Sequence, residues 1–281
     1  TMKFLIAFVL VLVSGVLSDK IRGRVFGGND ANNADFKYLV RYFVPSVHNK
    51  EQFTSCGGSL IHNRWILTVA HCFNGGYVIY FLRQPDREGV IVFLGLDTTH
   101  TYTQIRPAIK VITHQNYFRS DFEELNDIAL IKIRHVKYNE YKQRIPLSPL
   151  ASFDGEFVTV AGWGVTDNAR TYPTNLQYTT LKVLSSPECS KIFSRYHPIT
   201  QFCTFTATRS LCDGDSGSPA VIDSGPNAQL IGLVSYTLEE CSENNPMAYT
   251  RIYSYLPWIK NETNIKFKQK SRKFQNYLKI N

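Results

Sequence analysis

Short runs rich in Val, Ile, Leu, Phe and Tyr recur along this chain between Gly, Pro and Asn, with few stretches of helical period among them. Tyr38 to Val44, Ser59 to Ile61, Trp65 to Thr68, Val90 to Leu94 and Ile128 to Ile133 occupy the first half; Phe157 to Ala161, Leu176 to Val183, Ala220 to Ile222 and Leu230 to Ser235 occupy the second. Apolar runs this short, bounded by turn-forming residues, are strand spacing, and they dictate an all-β barrel or sandwich. One closing helix is expected over Tyr253 to Asn261, with Pro257 tolerable only near its first turn. At 281 residues, 43% of them hydrophobic, the chain can bury the core of one large all-β domain or two small ones.

The two ends differ from the rest. Lys3 precedes an apolar run from Phe4 to Val13 and then the small residues Gly15, Val16 and Ser18, the pattern of a secretory signal peptide (1–18) cleaved after Ser18. That run is too short to anchor in a bilayer, which takes about twenty apolar residues. A secreted, extracellular protein without stable membrane insertion is expected. The net charge of +8 lies at the ends: Lys3, Lys20, Arg22 and Arg24 face only Asp19, six Lys or Arg after Asn261 face only Glu262, and Val25 to Asn261 is neutral. No nucleic-acid partner is therefore expected, and the basic tail 262–281 is expected to be solvated and disordered. Cys56, Cys72, Cys189, Cys203, Cys212 and Cys241 are an even number in a secreted chain and contain no Cys-x-x-Cys spacing, so disulfides are expected, with no metal and no other cofactor. Composition leaves their pairing open.

Three short segments carry chemistry: Thr68-Val69-Ala70-His71-Cys72, Asn126-Asp127-Ile128-Ala129-Leu130 and Gly214-Asp215-Ser216-Gly217-Ser218-Pro219. They supply a base, an orienting carboxylate and a nucleophile in the order His, Asp, Ser, one of the known orders of such a triad. A serine hydroxyl is barely ionised at neutral pH and needs a neutral imidazole within hydrogen-bond reach to take its proton. His71 fits that role, and Asp127 would hold its tautomer and stabilise the imidazolium. Each segment alone is an ordinary core histidine, cap or turn; together they point to one site.

With Cys56-Gly57-Gly58-Ser59-Leu60 and Gly162-Trp163-Gly164 added, the chain from Val25 to about Asn261 resembles the chymotrypsin and trypsin family of serine proteases. The resemblance implies two antiparallel Greek-key β-barrels packed face to face with a short C-terminal helix, the first over 25–144 and the second over 145–261. It implies an oxyanion hole from the amides of Gly214 and Ser216, and disulfides pairing Cys56 with Cys72, Cys189 with Cys203, and Cys212 with Cys241. A further bridge of some relatives is replaced by Val158 and Ile222, and a usual glycine by Ser218. Arg24-Val25-Phe26-Gly27-Gly28 resembles the family's activation site, which makes 19–24 a propeptide and the new ammonium of Val25 a partner for Asp215. Protein or peptide substrates, an activating trypsin-like protease, protein protease inhibitors and a monomeric state are the partners and assembly so implied.

The specificity pocket would involve Ser210, Ser235, Tyr236, Thr237 and Met247. Ser210 stands where trypsin-like relatives carry an aspartate, and without that charge a basic side chain would be buried unpaired. Thr237 and Met247 replace glycines of open pockets, so cleavage after small or medium apolar residues, elastase-like, is expected, with chymotrypsin-like cleavage after large apolar residues as the alternative. A silent relative acting as a binding protein is the competing class. The stretches 45–53 and 73–89 are longer than in simple relatives and would border the cleft. Asp97 alone cannot supply a calcium loop, and Asn261-Glu262-Thr263 is a candidate glycosylation sequon.

Overall fold

The computed structural model describes residues 28–46, 52–73, 89–97, 99–120, 123–166, 170–238 and 244–266. The signal segment, the propeptide with Arg24 and Val25, most of the two long loops, Cys241 and the tail from residue 267 lie outside the described residues.

A first short strand, β1 (Asn29–Asp30), precedes six strands that close into a barrel: β2 (Leu39–Pro45), β3 (Phe53–His62), β4 (Trp65–Thr68), β5 (Ile91–Leu96), β6 (Tyr102–Thr113) and, after a two-stranded hairpin of β7 (Phe118–Arg119) and β8 (Glu124–Leu125), β9 (Ala129–Ile133). Closure runs β2-β3-β4-β9-β6-β5, all antiparallel. Tyr42, Ile66, Leu67, Leu94, Leu130 and Ile131 on these strands are fully buried.

The second half forms β10 (Phe157–Gly162), β11 (Gln177–Lys182), β12 (Gln201–Thr204), β13 (Pro219–Ile222), β14 (Gln229–Thr237) and β15 (Met247–Arg251), joined with β1 in a seven-stranded sheet of order β1-β11-β10-β13-β14-β15-β12. The sheet rolls until β11 and β12 meet, through the Val183 and Thr204 bridge and the Leu184 amide, which donates to the Cys203 carbonyl at 3.0 Å. Val158, Val160, Leu181, Phe202 and Tyr249 make its core, the last two stacked at 4.7 Å. Val158 and Ile222 belong to this same cluster.

The barrel and the sheet share apolar residues. Leu230, Leu233 and Ile252 of the second half pack in one cluster with Leu67 and Ile131 of the first. A helix that the sequence pattern did not suggest, α1 (Ser186–Ile192), is opened by Glu188, whose carboxylate accepts the Ser185 amide at 2.8 Å. The closing helix is α2 (Leu256–Thr263), with Pro257 in its first turn, preceded by a 3-10 turn over Ile252–Tyr255. Ile259 is buried in the shared cluster, and the rings of Tyr255 and Trp258 pack on His114 at the end of β6. The helix runs past Asn261 to Thr263 and Ile265 is itself buried, so the packed domain extends into the segment expected to be a disordered tail. Asn261 is exposed on α2.

Two disulfides are described, Cys56 with Cys72 and Cys189 with Cys203. Cys212 is also disulfide-bonded.

Because β9 leads directly out of Asp127 and Leu130 is 0% exposed within it, Leu130→Ala should destabilise the protein by about 2–5 kcal/mol. A urea titration followed by tryptophan fluorescence should show a lower midpoint with the slope unchanged.

Candidate active site

His71 opens the 3-10 turn that follows β4, and the Cys56–Cys72 bridge clips that turn to β3. Asp127 sits at the bend between β8 and β9, where Asn126 adopts φ 51°. Asn126 is held from two sides: its Nδ2 donates to the Asn116 carbonyl at 2.8 Å, and the Tyr255 hydroxyl donates to its Oδ1 at 3.1 Å. The bend turns the Asp127 carboxylate into the interior, 2% exposed.

Three donors satisfy that carboxylate. The His71 amide donates to Oδ1 at 2.9 Å and His71 Nδ1 to Oδ2 at 2.8 Å. The third is the Ser235 hydroxyl, at 2.6 Å from Oδ2, reaching across from β14. Ser235 lies where the β14 and β15 register shifts between Val234 and Tyr236, and such an irregularity re-aims a side chain. Burial alone would raise the pKa of Asp127, but the His71 charge and these hydrogen bonds outweigh it and hold the carboxyl below its ordinary value. For His71 burial works to lower the pKa; Asp127's charge and bond, then the charge of Glu124, outweigh it and raise the imidazole above its ordinary value. An imidazole with Nδ1 committed as a donor presents its other nitrogen as an acceptor.

Ser216 lies in a loop pressed against the barrel. Its carbonyl accepts the Gly57 amide at 2.8 Å, and the Gly217 amide donates to the Val234 carbonyl at 2.8 Å. Gly214 and Gly217 have φ +97° and +79°, and a Cβ on Gly217 would stand 2.2 Å from Thr68 Oγ1. Ser216, Gly214 and His71 line one cleft between barrel and sheet. Among the described residues no backbone carbonyl accepts the amides of Gly214 or Ser216.

Asp215 points the other way and is 0% exposed. Its carboxylate accepts the Gly164 amide at 2.8 Å and the Cys212 amide at 3.2 Å. A Cβ on Gly164 would lie 2.3 Å from its Oδ2. Burial pushes its pKa up to about 6 despite those two donors. Ser218, at the expected departure from the glycine pattern, is wholly buried beside Gly57, and its Oγ has no hydrogen-bond partner among the described residues.

Ser235, Tyr236, Thr237 and Met247 line the cleft beside Ser216, with Met247 only 4% exposed. The Thr237 hydroxyl donates to the Pro246 carbonyl at 2.9 Å, which fixes its side chain at the wall. Ser210 is 1% exposed, and the two residues after it, Leu211 and Cys212, line the cleft.

One cleft residue escaped the sequence reading. Glu124 on β8 is 4% exposed and sits three positions before Asp127, with Oε1 3.6 Å from His71 Nδ1. Its place in an acidic stretch with Asp121 and Glu123, just before the Asp127 segment, was its only signal. Ligand atoms of His71, Glu124 and Asp127 lie within 4.8 Å of one another. As a metal site the group fits poorly, because Asp127 already accepts three hydrogen bonds and Nδ1 of His71 is a donor rather than a lone pair.

An oriented imidazole and a loop serine line one cleft between two β layers, an arrangement that fits a serine hydrolase. A profile of the Trypsin family matches residues 25–259. The chain is 32% identical to a collagenase of Hypoderma lineatum over 95% of its own length and 100% of that protein. It is 31% identical to trypsin I-P1 of Gallus gallus, covering 92% and 98% of the two chains, and 32% identical to chymotrypsin-2 of Vespa crabro, covering 84% and 98%. The chain belongs to the trypsin family and is a serine endopeptidase.

An imidazolium cannot accept a proton, so activity should fall as pH drops through the raised pKa of His71. A pH profile of kcat/KM should place that acid limb above about 6.5, the value for an unperturbed histidine.

Proposed function

We propose that His71, Asp127 and Ser216 act as the catalytic triad of a secreted endopeptidase made as a zymogen. The observation that carries this reading is the 2.8 Å bond from His71 Nδ1 to Asp127, in the cleft that Ser216 lines. Ser216 Oγ attacks the peptide carbonyl carbon while His71 takes its proton. The carbonyl oxygen gains the negative charge and is held by the amides of Gly214 and Ser216, an arrangement in which one donor is typically worth about a hundred- to a thousandfold in rate. His71 then gives its proton to the leaving amine as the carbon–nitrogen bond breaks, and an acyl-enzyme remains. Water, deprotonated by the same imidazole, attacks the ester and frees Ser216.

Thr237 and Met247 at the pocket wall favour small or medium apolar residues before the cut. Large apolar residues are the alternative, and the likeness to chymotrypsin-2 favours keeping it in the test. The charge of Asp215 supports the zymogen reading. In its described surroundings it has two amide donors and a pKa near 6, so an ammonium arriving at Val25 after a trypsin-like cut at Arg24 would stabilise it and the loop it ends. The protease domain so read spans 25–261, its two barrels meeting near Arg144, and exposed Asn261 is open to a glycan.

Expression from Asp19, activation with a trace of trypsin and comparison with Ser216→Ala test the whole reading. Peptides offering Ala, Val, Leu, Phe, Tyr, Lys or Arg before the cut should be hydrolysed only after cleavage at Arg24, best at Ala to Leu, and not by the variant. A processed, folded protein that cut none of them, nor casein, would instead be a binding protein.

The same Ser216→Ala protein tests Asp215 without autolysis. A carboxyl whose folded pKa is raised from 3.8 to about 6 binds its proton more tightly folded than unfolded. Stability of the uncut form should therefore fall as pH rises from about 4 to 6. In the form cut at Arg24, Tm measured across that window should show no such fall.

A further inference from the structure

Glu124 is a buried carboxylate in a substrate cleft, with its charge incompletely met. Oε1 accepts one hydrogen bond, from the Tyr117 hydroxyl at 2.8 Å. The neighbouring cation is Arg119, whose Nε stands 4.0 Å away, beyond hydrogen-bond reach, on a side chain 54% exposed. Burial first, and then the negative charge of Asp127, push the Glu124 pKa up, against the lowering effects of His71, Tyr117 and Arg119. A carboxylate held this way costs free energy that an arriving cation would offset.

Its backbone is fixed. The Gln201 amide on β12 donates to the Glu124 carbonyl at 2.7 Å, while Gln201 Oε1 accepts the His197 amide at 3.1 Å and the Tyr236 hydroxyl at 3.3 Å. That network joins the β7–β8 hairpin to the second sheet and ties Glu124 through Gln201 to the Tyr236 hydroxyl. Tyr236 also lines the primary pocket. Glu124 therefore faces the part of a bound chain that adjoins the residue in that pocket.

We propose that Glu124 is a specificity-determining residue, forming a subsite for a lysine or arginine side chain immediately before the substrate residue held in the primary pocket. The inference rests on the endopeptidase reading of the same cleft and adds a charge requirement to an otherwise apolar preference. A favoured sequence would then be a basic residue followed by a small or medium apolar one. Arg119 does not block the site, because its exposed side chain can turn to solvent when a substrate cation takes its place.

The test uses the enzyme activated at Arg24 and peptides identical except for Lys, Arg, Leu or Glu at that position, with Ala held in the primary pocket. The ratio of kcat/KM for Lys over Leu is the readout, because any effect of Glu124 on His71 cancels in it. The wild type should favour Lys by about ten- to a hundredfold, the range for a hydrogen bond to a charged group. Glu124→Gln, which keeps the side-chain size and an acceptor for Tyr117, should bring the ratio close to one, and the wild-type ratio should shrink as pH falls and Glu124 protonates. An active wild type with a ratio near one overturns the subsite while leaving the protease reading intact. A ratio kept in Glu124→Gln assigns the preference to another group and overturns it equally. Absence of any cleavage by folded, processed enzyme would defeat the protease reading itself, and the subsite with it.

Discussion

A carboxylate removed from water must be met by donors fixed in advance, and the structure around Asp127 follows from that requirement. Two of its donors come from one residue of the barrel, the amide and Nδ1 of His71, and the third from Ser235 of the sheet. The Thr250 hydroxyl on β15 donates to the carbonyl of the same residue at 2.7 Å. The charge can be satisfied only when barrel and sheet are docked. Docking in turn fixes the imidazole, so the interaction that completes the fold also orients the base. Removing one donor would strand part of a buried charge, an expense of about 1–3 kcal/mol or more, and the histidine would lose its direction together with that stability.

Asp215 imposes the complementary requirement on the sheet. The loop that carries Ser216 can sit flat against Gly57 and Thr68 only because Gly217 has no side chain, and Asp215 can turn inward only because Gly164 leaves room. The two acids differ in how well they are served. Asp127 has three donors, the imidazole of His71 among them, and is held ionised; Asp215 has two amides and is pushed toward neutrality. One carboxylate is finished by folding, and the other is left responsive to whatever cation reaches it.

Much of this was legible in the residues. Trp65 to Thr68 was bounded by sequence as the structure bounds it, because turn residues and fully buried apolar ones coincide there. The strand β6 was not, since its burial alternates between partial and full exposure over 102–109 and Val111 alone in the strand is buried, so no compact apolar run appears. β12 and β15 were missed for a different reason: Gln201, Thr204, Thr250 and Arg251 are polar yet buried, their groups satisfied by partners distant in sequence. α1 is short and depends on its cap rather than on periodicity. At the site, His71, Asp127 and Ser216 announce themselves through local motifs, whereas Glu124 gains its importance only from the hairpin that folds it beside His71.

The short β1 strand has a consequence for kinetics. Although it is the first described strand, it pairs with β11 of the second sheet, Asn29 opposite Tyr178 and Asp30 opposite Gln177, and Ala31 adds a bond to the Leu176 carbonyl at 2.9 Å. Val25 is four residues before Asn29, so an end created there stays on a leash no longer than about 14 Å. Whatever that end binds, it meets as an intramolecular ligand at an effective concentration of roughly millimolar or above, independent of how dilute the protein becomes. Docking of an end created there would accordingly be first-order and independent of protein concentration.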